Sequence, residues 1–176
     1  MNNNKILAFS IEINENTFIN TTQVNDVKII KWEPSLRNII PPNSGFRFII
    51  FWAAHYLGFF KNKSYRSYAF IEHKKAICSL VCVPSFSLWT FMKPNDIQIK
   101  NVFTEPNYRG KGFAFKLVKY AISDLSRDKR NIWYLTNEQN TPSIKLCKKA
   151  GFKLQGYYQR KKNRWGLFKG VIKRIN

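Results

Sequence analysis

Acidic side chains are scarce in this chain of 176 residues: ten Asp and Glu stand against thirty Lys and Arg, a net charge of +20. Beyond Glu138 there are eleven basic residues and no acid at all. A field of that sign attracts polyanions. Cysteine is sparse too. Cys78, Cys82 and Cys147 form an odd set without metal-type pairing, so Cys78 and Cys82 read as small, reduced core residues on a strand. With only two histidines, His55 and His73, no metal site can be assembled, and none is expected. The chain also lacks a Pro/Gly/Ser-rich linker, an internal repeat, and any low-complexity tract beyond Asn2-Asn3-Asn4. Residues 1–176 therefore read as a single domain, and the 44% hydrophobic content is enough for a sizeable core. The first twenty residues lack the apolar centre of a signal peptide, so a cytoplasmic location is expected. One apolar run, Phe48 to Phe60 between Arg47 and Lys61, falls short of the ~20 residues that a spanning helix needs. It reads as a core or pocket helix, with a membrane-surface or dimer contact as the other reading. His55 within it reads as a pocket or core residue.

What the chain does contain is a strand, a glycine-rich turn and a helix in succession. Ile97 to Phe103 alternates apolar and polar side chains, and Phe113, Ala114, Leu117, Val118, Ala121, Ile122 and Leu125 recur at helical steps. Between them lies Thr104-Glu105-Pro106-Asn107-Tyr108-Arg109-Gly110-Lys111-Gly112. A helix begun here presents unpaired N–H groups and the positive end of its dipole, while Gly110 and Gly112 allow a close approach of backbone to ligand. The turn reads as a phosphate cradle. Further on, Asn131 to Thr136 is rich in strand formers. Asn140 or Thr141 can cap a helix that has Pro142 in its first turn and stops at Gly151.

Two blocks resemble the GNAT superfamily of acyl-CoA N-acyltransferases. Arg109-x-x-Gly112-x-Ala114 is similar to the family's Arg/Gln-x-x-Gly-x-Gly/Ala turn, and Asn140 to Phe152 is similar to its later Asn-x-x-Ala/Ser-x-x-Leu-Tyr-x-Lys-x-Gly-Phe segment. The resemblance spans roughly residues 96–172. It implies an α/β fold with a mixed, twisted central sheet flanked by helices, its strands splayed near Thr104 and Asn131 at the acyl-CoA site. It further implies acetyl-CoA as co-substrate, bound by Val102, Phe103, Thr104, Arg109, Gly110, Lys111, Gly112, Phe113, Ala114, Asn140 and Ser143. Backbone N–H groups around Val102 to Thr104 would polarise the carbonyl. Asp96, at the start of the motif strand, is the candidate base acting through water. The family's usual Tyr acid is replaced by Cys147, a thiol able to return a proton or simply to pack; Tyr134, Tyr157 and Tyr158 are the alternatives by position.

Other strands are expected at Lys5–Ile13, in a hairpin of Ser67–Glu72 and Ala76–Ser85 turning at His73, with Phe86–Phe91 continuing it, and in a last hairpin of Phe152–Tyr158 and Trp165–Ile172. The expected reaction is acetyl transfer to the primary amine of a small, anionic acceptor such as a nucleotide-linked amino sugar. The turn Arg160 to Arg164 would steer that acceptor. The alternatives are a protein or aminoacyl amine as acceptor, or a non-catalytic module of this fold that binds nucleic acid or an anionic membrane surface. A homodimer remains open.

Overall fold

Apolar alternation along the chain turns into eight strands and three helices in the computed structural model, which describes residues 5–13, 27–85, 91–126, 128–160 and 172–175. In chain order these are β1 (Lys5–Ile13), β2 (Lys28–Trp32), a 3-10 turn (Phe46–Phe48) running into α1 (Ile49–Tyr56), β3 (Arg66–Glu72), β4 (Lys75–Pro84) and β5 (Ile97–Thr104). A second 3-10 turn (Pro106–Tyr108) leads to α2 (Phe113–Asp124), then β6 (Arg130–Asn137), α3 (Thr141–Lys149), β7 (Lys153–Arg160) and β8 (Ile172–Ile175). The strands form one sheet in the order β2-β3-β4-β5-β6-β1-β7-β8.

Every pairing is antiparallel except β5 with β6, which is parallel and covers only Ile97–Ile99 opposite Ile132–Tyr134. Beyond Ile99 and Tyr134 the two strands continue without a common ladder. That is the expected splay. The β3–β4 hairpin turns through His73 and Lys74, whose φ values of 47° and 63° give the left-handed two-residue loop that matches strand twist. β4 is buried at every residue after Lys75, as a central strand covered on both faces should be.

The expected N-terminal strand does form, but it inserts between β6 and β7. Local patterning could not show this, because alternation specifies a half-buried strand and not its neighbours. In the last hairpin β8 spans Ile172–Ile175, and the expected 165–171 portion and the Arg160–Arg164 turn fall largely outside the described residues. The same is true of 86–90.

Two apolar layers hold the helices to the sheet. On one face, Leu117, Val118, Ala121 and Ile122 of α2 and Cys147 of α3 pack with Phe9, Tyr68 and Phe70. Burial of each Leu, Ile or Val in this stripe contributes roughly 1.5–3 kcal/mol, so α2 is fixed mainly by Leu117, Val118 and Ile122. On the other face, Phe48, Phe51 and Trp52 from the α1 region pack against Trp32, Tyr65, Val81 and Trp133. Asn140 caps α3: its Oδ1 accepts from the Ser143 N–H at 3.2 Å. Gly151 at φ 93° ends that helix.

Candidate active site

The parting of β5 and β6 opens a cleft of about 570 Å³ between the end of β5, the N-terminus of α2 and the first turns of α3. Its first wall is β5 itself. Ser79 and Val81 of β4 face Phe103 and Lys100, so three steps of β5 oppose two of β4; Asn101 takes up the extra residue at φ 50°. This bulge and the end of the β6 ladder leave the β6-facing edge of Val102–Thr104 without a strand partner, open to a ligand carbonyl. Val102, Phe103 and Thr104 all line the cleft.

The second wall is the turn before α2. Glu105 anchors it, donating its N–H to Ile77 O at 2.8 Å and pairing with Lys75 at 3.1 Å. Arg109 Nε donates to Thr104 O at 3.0 Å, which orients the guanidinium and leaves its terminal N–H groups for a ligand. Gly110 and Gly112 sit at φ 77° and 83°, and a Cβ built on either would meet nothing within 4 Å. The helix cap is Gly112, with no side-chain cap and no acid in the first turn of α2. An ordinary helix satisfies these N–H groups with Ser, Asp or a nearby carboxylate. Here they and the dipole are left to an anion.

The third wall is α3, contributing Asn140, Pro142, Ser143, Lys145, Leu146 and Lys149. Lys145 and Lys149, four residues apart on one helix face, are cleft residues that motif reading passed over; their spacing was the available signal. Lys149 Nζ stands 4.9 Å from the Phe115 ring centroid and so spans from α3 to α2. Arg109, Lys145 and Lys149 are the charged residues of the lining, with no carboxylate among them. Uncapped N–H groups, cations and open space at both glycines suit a ligand rich in phosphate.

Of the expected cofactor-binding residues, Lys111 is the one outside this lining; its Nζ lies 5.2 Å from the Tyr108 ring centroid instead. The two expected catalytic residues are not brought to the cleft. Asp96 is 1% exposed and precedes β5 at the end away from the cleft; its carboxylate accepts from Lys93 N (2.9 Å), Asn131 N (3.1 Å) and Trp133 Nε1 (2.8 Å). Cys147 faces the core between α3 and the sheet, and burial pushes its thiol up to about 12. Of the three tyrosines weighed as replacements, Tyr134 lines the cleft, whereas Tyr157 and Tyr158 do not. Its hydroxyl donates to Ser143 Oγ at 3.5 Å, and burial pushes its pKa up to about 12. His73 occupies the exposed β3–β4 turn, and His55 lies half-buried on α1 with its ring 6.1 Å from that of Tyr65. Among the described residues no group of His, Cys, Asp and Glu is arranged to hold a metal ion.

Comparison with known proteins agrees with this fold. The family model described as "Acetyltransferase (GNAT) family" matches residues 33–152. Among solved structures, a GCN5-related N-acetyltransferase from Sphaerobacter thermophilus is similar with a TM-score of 0.61 at 14% identity, covering 89% of this chain and 50% of its own. A GNAT-family structure from Novosphingobium aromaticivorans gives 0.54 at 13% identity, covering 87% and 60%. An IAA acetyltransferase from Bacillus cereus gives 0.50 at 14% identity, covering 72% and 77%. This chain thus spans only 50% and 60% of the first two proteins, and at these identities the likeness is one of fold. A search of curated proteins finds no match.

Proposed function

The chain belongs to the GNAT acetyltransferase family, and from that premise we propose that it is an N-acetyltransferase acting from acetyl-CoA on the primary amine of a small, anionic acceptor, such as a nucleotide-linked amino sugar. The observation that carries the reading is the uncapped N-terminus of α2 at Gly112, set beside the partnerless edge of β5. The first feature receives a pyrophosphate and the second a carbonyl oxygen, so the two together fit a thioester carried on a phosphate-rich handle.

Acetyl-CoA, when bound, supplies an acyl carbon that the amine attacks directly: an N–C bond forms, the C–S bond breaks, one proton leaves the amine and one is returned to sulfur. The chain's part begins with holding phosphate on the N–H groups of Phe113, Ala114 and Phe115, with Arg109, Lys145 and Lys149 around the mouth. The Val102–Thr104 edge then orients and polarises the carbonyl, a stabilisation that backbone donors provide without reorganising. Tyr134 is the proton donor of this reading. With its pKa pushed up to about 12 it stays protonated at neutral pH, and it stands in the cleft where Cys147 does not. Proximity of the two substrates supplies much of the rest.

The excess of thirty basic over ten acidic residues is larger than one coenzyme requires and favours an anionic acceptor. Calorimetric titration with acetyl-CoA, followed by transfer assays on a panel of nucleotide-linked amino sugars and uncharged amines, tests both halves. Micromolar or tighter acetyl-CoA binding with transfer only to anionic amines is the expected result. Failure to bind acetyl-CoA refutes the enzyme reading in favour of a non-catalytic module, and preference for uncharged amines refutes the acceptor class.

A further inference from the structure

Helix α1 and the loop before it carry an apolar surface that the rest of the described fold does not cover. Phe48, Phe51 and Trp52 face inward onto the sheet. Phe46, Ile50 and Leu57, offset by four and seven residues, share the opposite face, and Phe59 follows just past the helix. Leu36 is exposed in the 34–40 loop, which is tied to α1 where Trp52 Nε1 donates to Ser35 O at 3.0 Å and Tyr56 OH to Pro34 O at 3.2 Å. These five outward side chains are 66–79% exposed. A helix that is apolar all round is normally buried on all sides, and a continuous exposed patch of this kind marks an interaction site.

Charge selects the partner. No acid occurs between Glu33 and Glu72, while Arg37, Arg47, Lys61 and Lys63 flank the patch residues in sequence and are exposed. None of these four is ion-paired among the described residues. A two-fold dimer through this face would set the same four cations against themselves, which disfavours a second copy of the chain. Apolar side chains flanked by Lys and Arg match the boundary between acyl chains and anionic headgroups. We propose that the α1 face docks this protein on bilayers containing anionic lipid, with Phe46, Ile50, Leu57 and Phe59 entering the headgroup region and the four basic residues meeting lipid phosphates.

The eight residues of α1 are about 12 Å long, so the helix lies on the bilayer, and no helix among the described residues is long and apolar enough to cross it. Lys100 Nζ stands 5.1 Å from the Phe51 ring centroid, which places α1 against β5 at the bulge that bounds the candidate active site. The inference does not depend on acetyl transfer, since its readout is binding alone.

The test is cosedimentation of the full chain with vesicles of phosphatidylcholine alone and of phosphatidylcholine mixed with phosphatidylglycerol. Binding to the mixed vesicles only, weakened by salt, is expected. Arg37→Gln with Arg47→Gln should weaken it by about fivefold per charge removed. Phe46→Ser with Ile50→Ser and Leu57→Ser keeps every charge and alters only exposed side chains, so the circular dichroism and melting curve should be unchanged while vesicle affinity falls tenfold or more. If this triple variant binds as well as the parent, attraction is due to the net charge alone and the docking face is wrong. Absence of vesicle binding also overturns it, as does a dimer that the triple variant dissolves in a chain indifferent to lipid.

Discussion

At the scale of single residues, Gly112 and Tyr134 carry the sharpest expectations. Gly112 holds φ 83° with open space where a Cβ would stand. Gly112→Val places a β-branched residue in a conformation that costs on the order of 1–3 kcal/mol and fills the space above the α2 N–H groups. Acetyl-CoA affinity should fall at least tenfold by calorimetry in a protein that still folds; unchanged affinity removes the turn from the site. Tyr134→Phe deletes one hydroxyl from the cleft wall. Turnover should drop by about a hundredfold, within the span of general acid catalysis, while acetyl-CoA affinity stays near that of the parent. Cys147→Ala should behave in the opposite way, keeping most of the turnover and losing about 1–2 kcal/mol of stability, because its thiol sits in the core. Reversal of those two outcomes would return the acid role to Cys147.

At the scale of elements, Asp96 acts as a clamp. It ties the turn at Lys93 and the start of β5 to β6 through Asn131 N and Trp133 Nε1. Asp96→Asn turns an acceptor-only group into one that presents an N–H₂ to buried donors. It should cost about 3 kcal/mol, seen as a lower melting temperature, with turnover of the folded protein preserved. Lost turnover at an unchanged melting temperature would restore the catalytic reading. The contrast shows what the sequence disclosed and what it could not. α2, α3 and the β3–β4 hairpin were legible because their signals are local: the helical spacing from Phe113 to Ile122, the Asn140 cap with Pro142 behind it, and strand formers on each side of His73. The cradle glycines were legible for the same reason. The Asn101 bulge, the burial of Asp96 and the choice of Tyr134 over Tyr157 and Tyr158 depend on which strand lies beside which, and alternation does not encode that.

At the scale of the whole molecule, alkaline pH should be the weak side. Burial raises all three thiols from 9.0, Cys78 to about 11 and Cys82 and Cys147 to about 12. A raised folded-state pKa gives stability that is complete below the unfolded value and lost as pH climbs through the folded one. The melting temperature should therefore decline between pH about 9 and about 12, each thiol contributing a slope of up to ~1.4 kcal/mol per pH unit. Cys147→Ala should show a shallower decline than the parent, and parallel curves would refute the assignment. β1 is made before every other described strand, yet its partners are β6 at Arg130–Asn137 and β7 at Lys153–Arg160. At translation speeds of about 5–20 residues per second, an interval on the order of ten seconds separates the strand from the chain that completes its ladders. Until then the gap it fills between β6 and β7 does not exist, so the sheet cannot be assembled in the order in which it is synthesised. Such distant pairing makes for slow folding and an exposed apolar strand in the meantime. The nascent chain of this protein thus carries β1 unpaired until both of its neighbours have emerged from the ribosome.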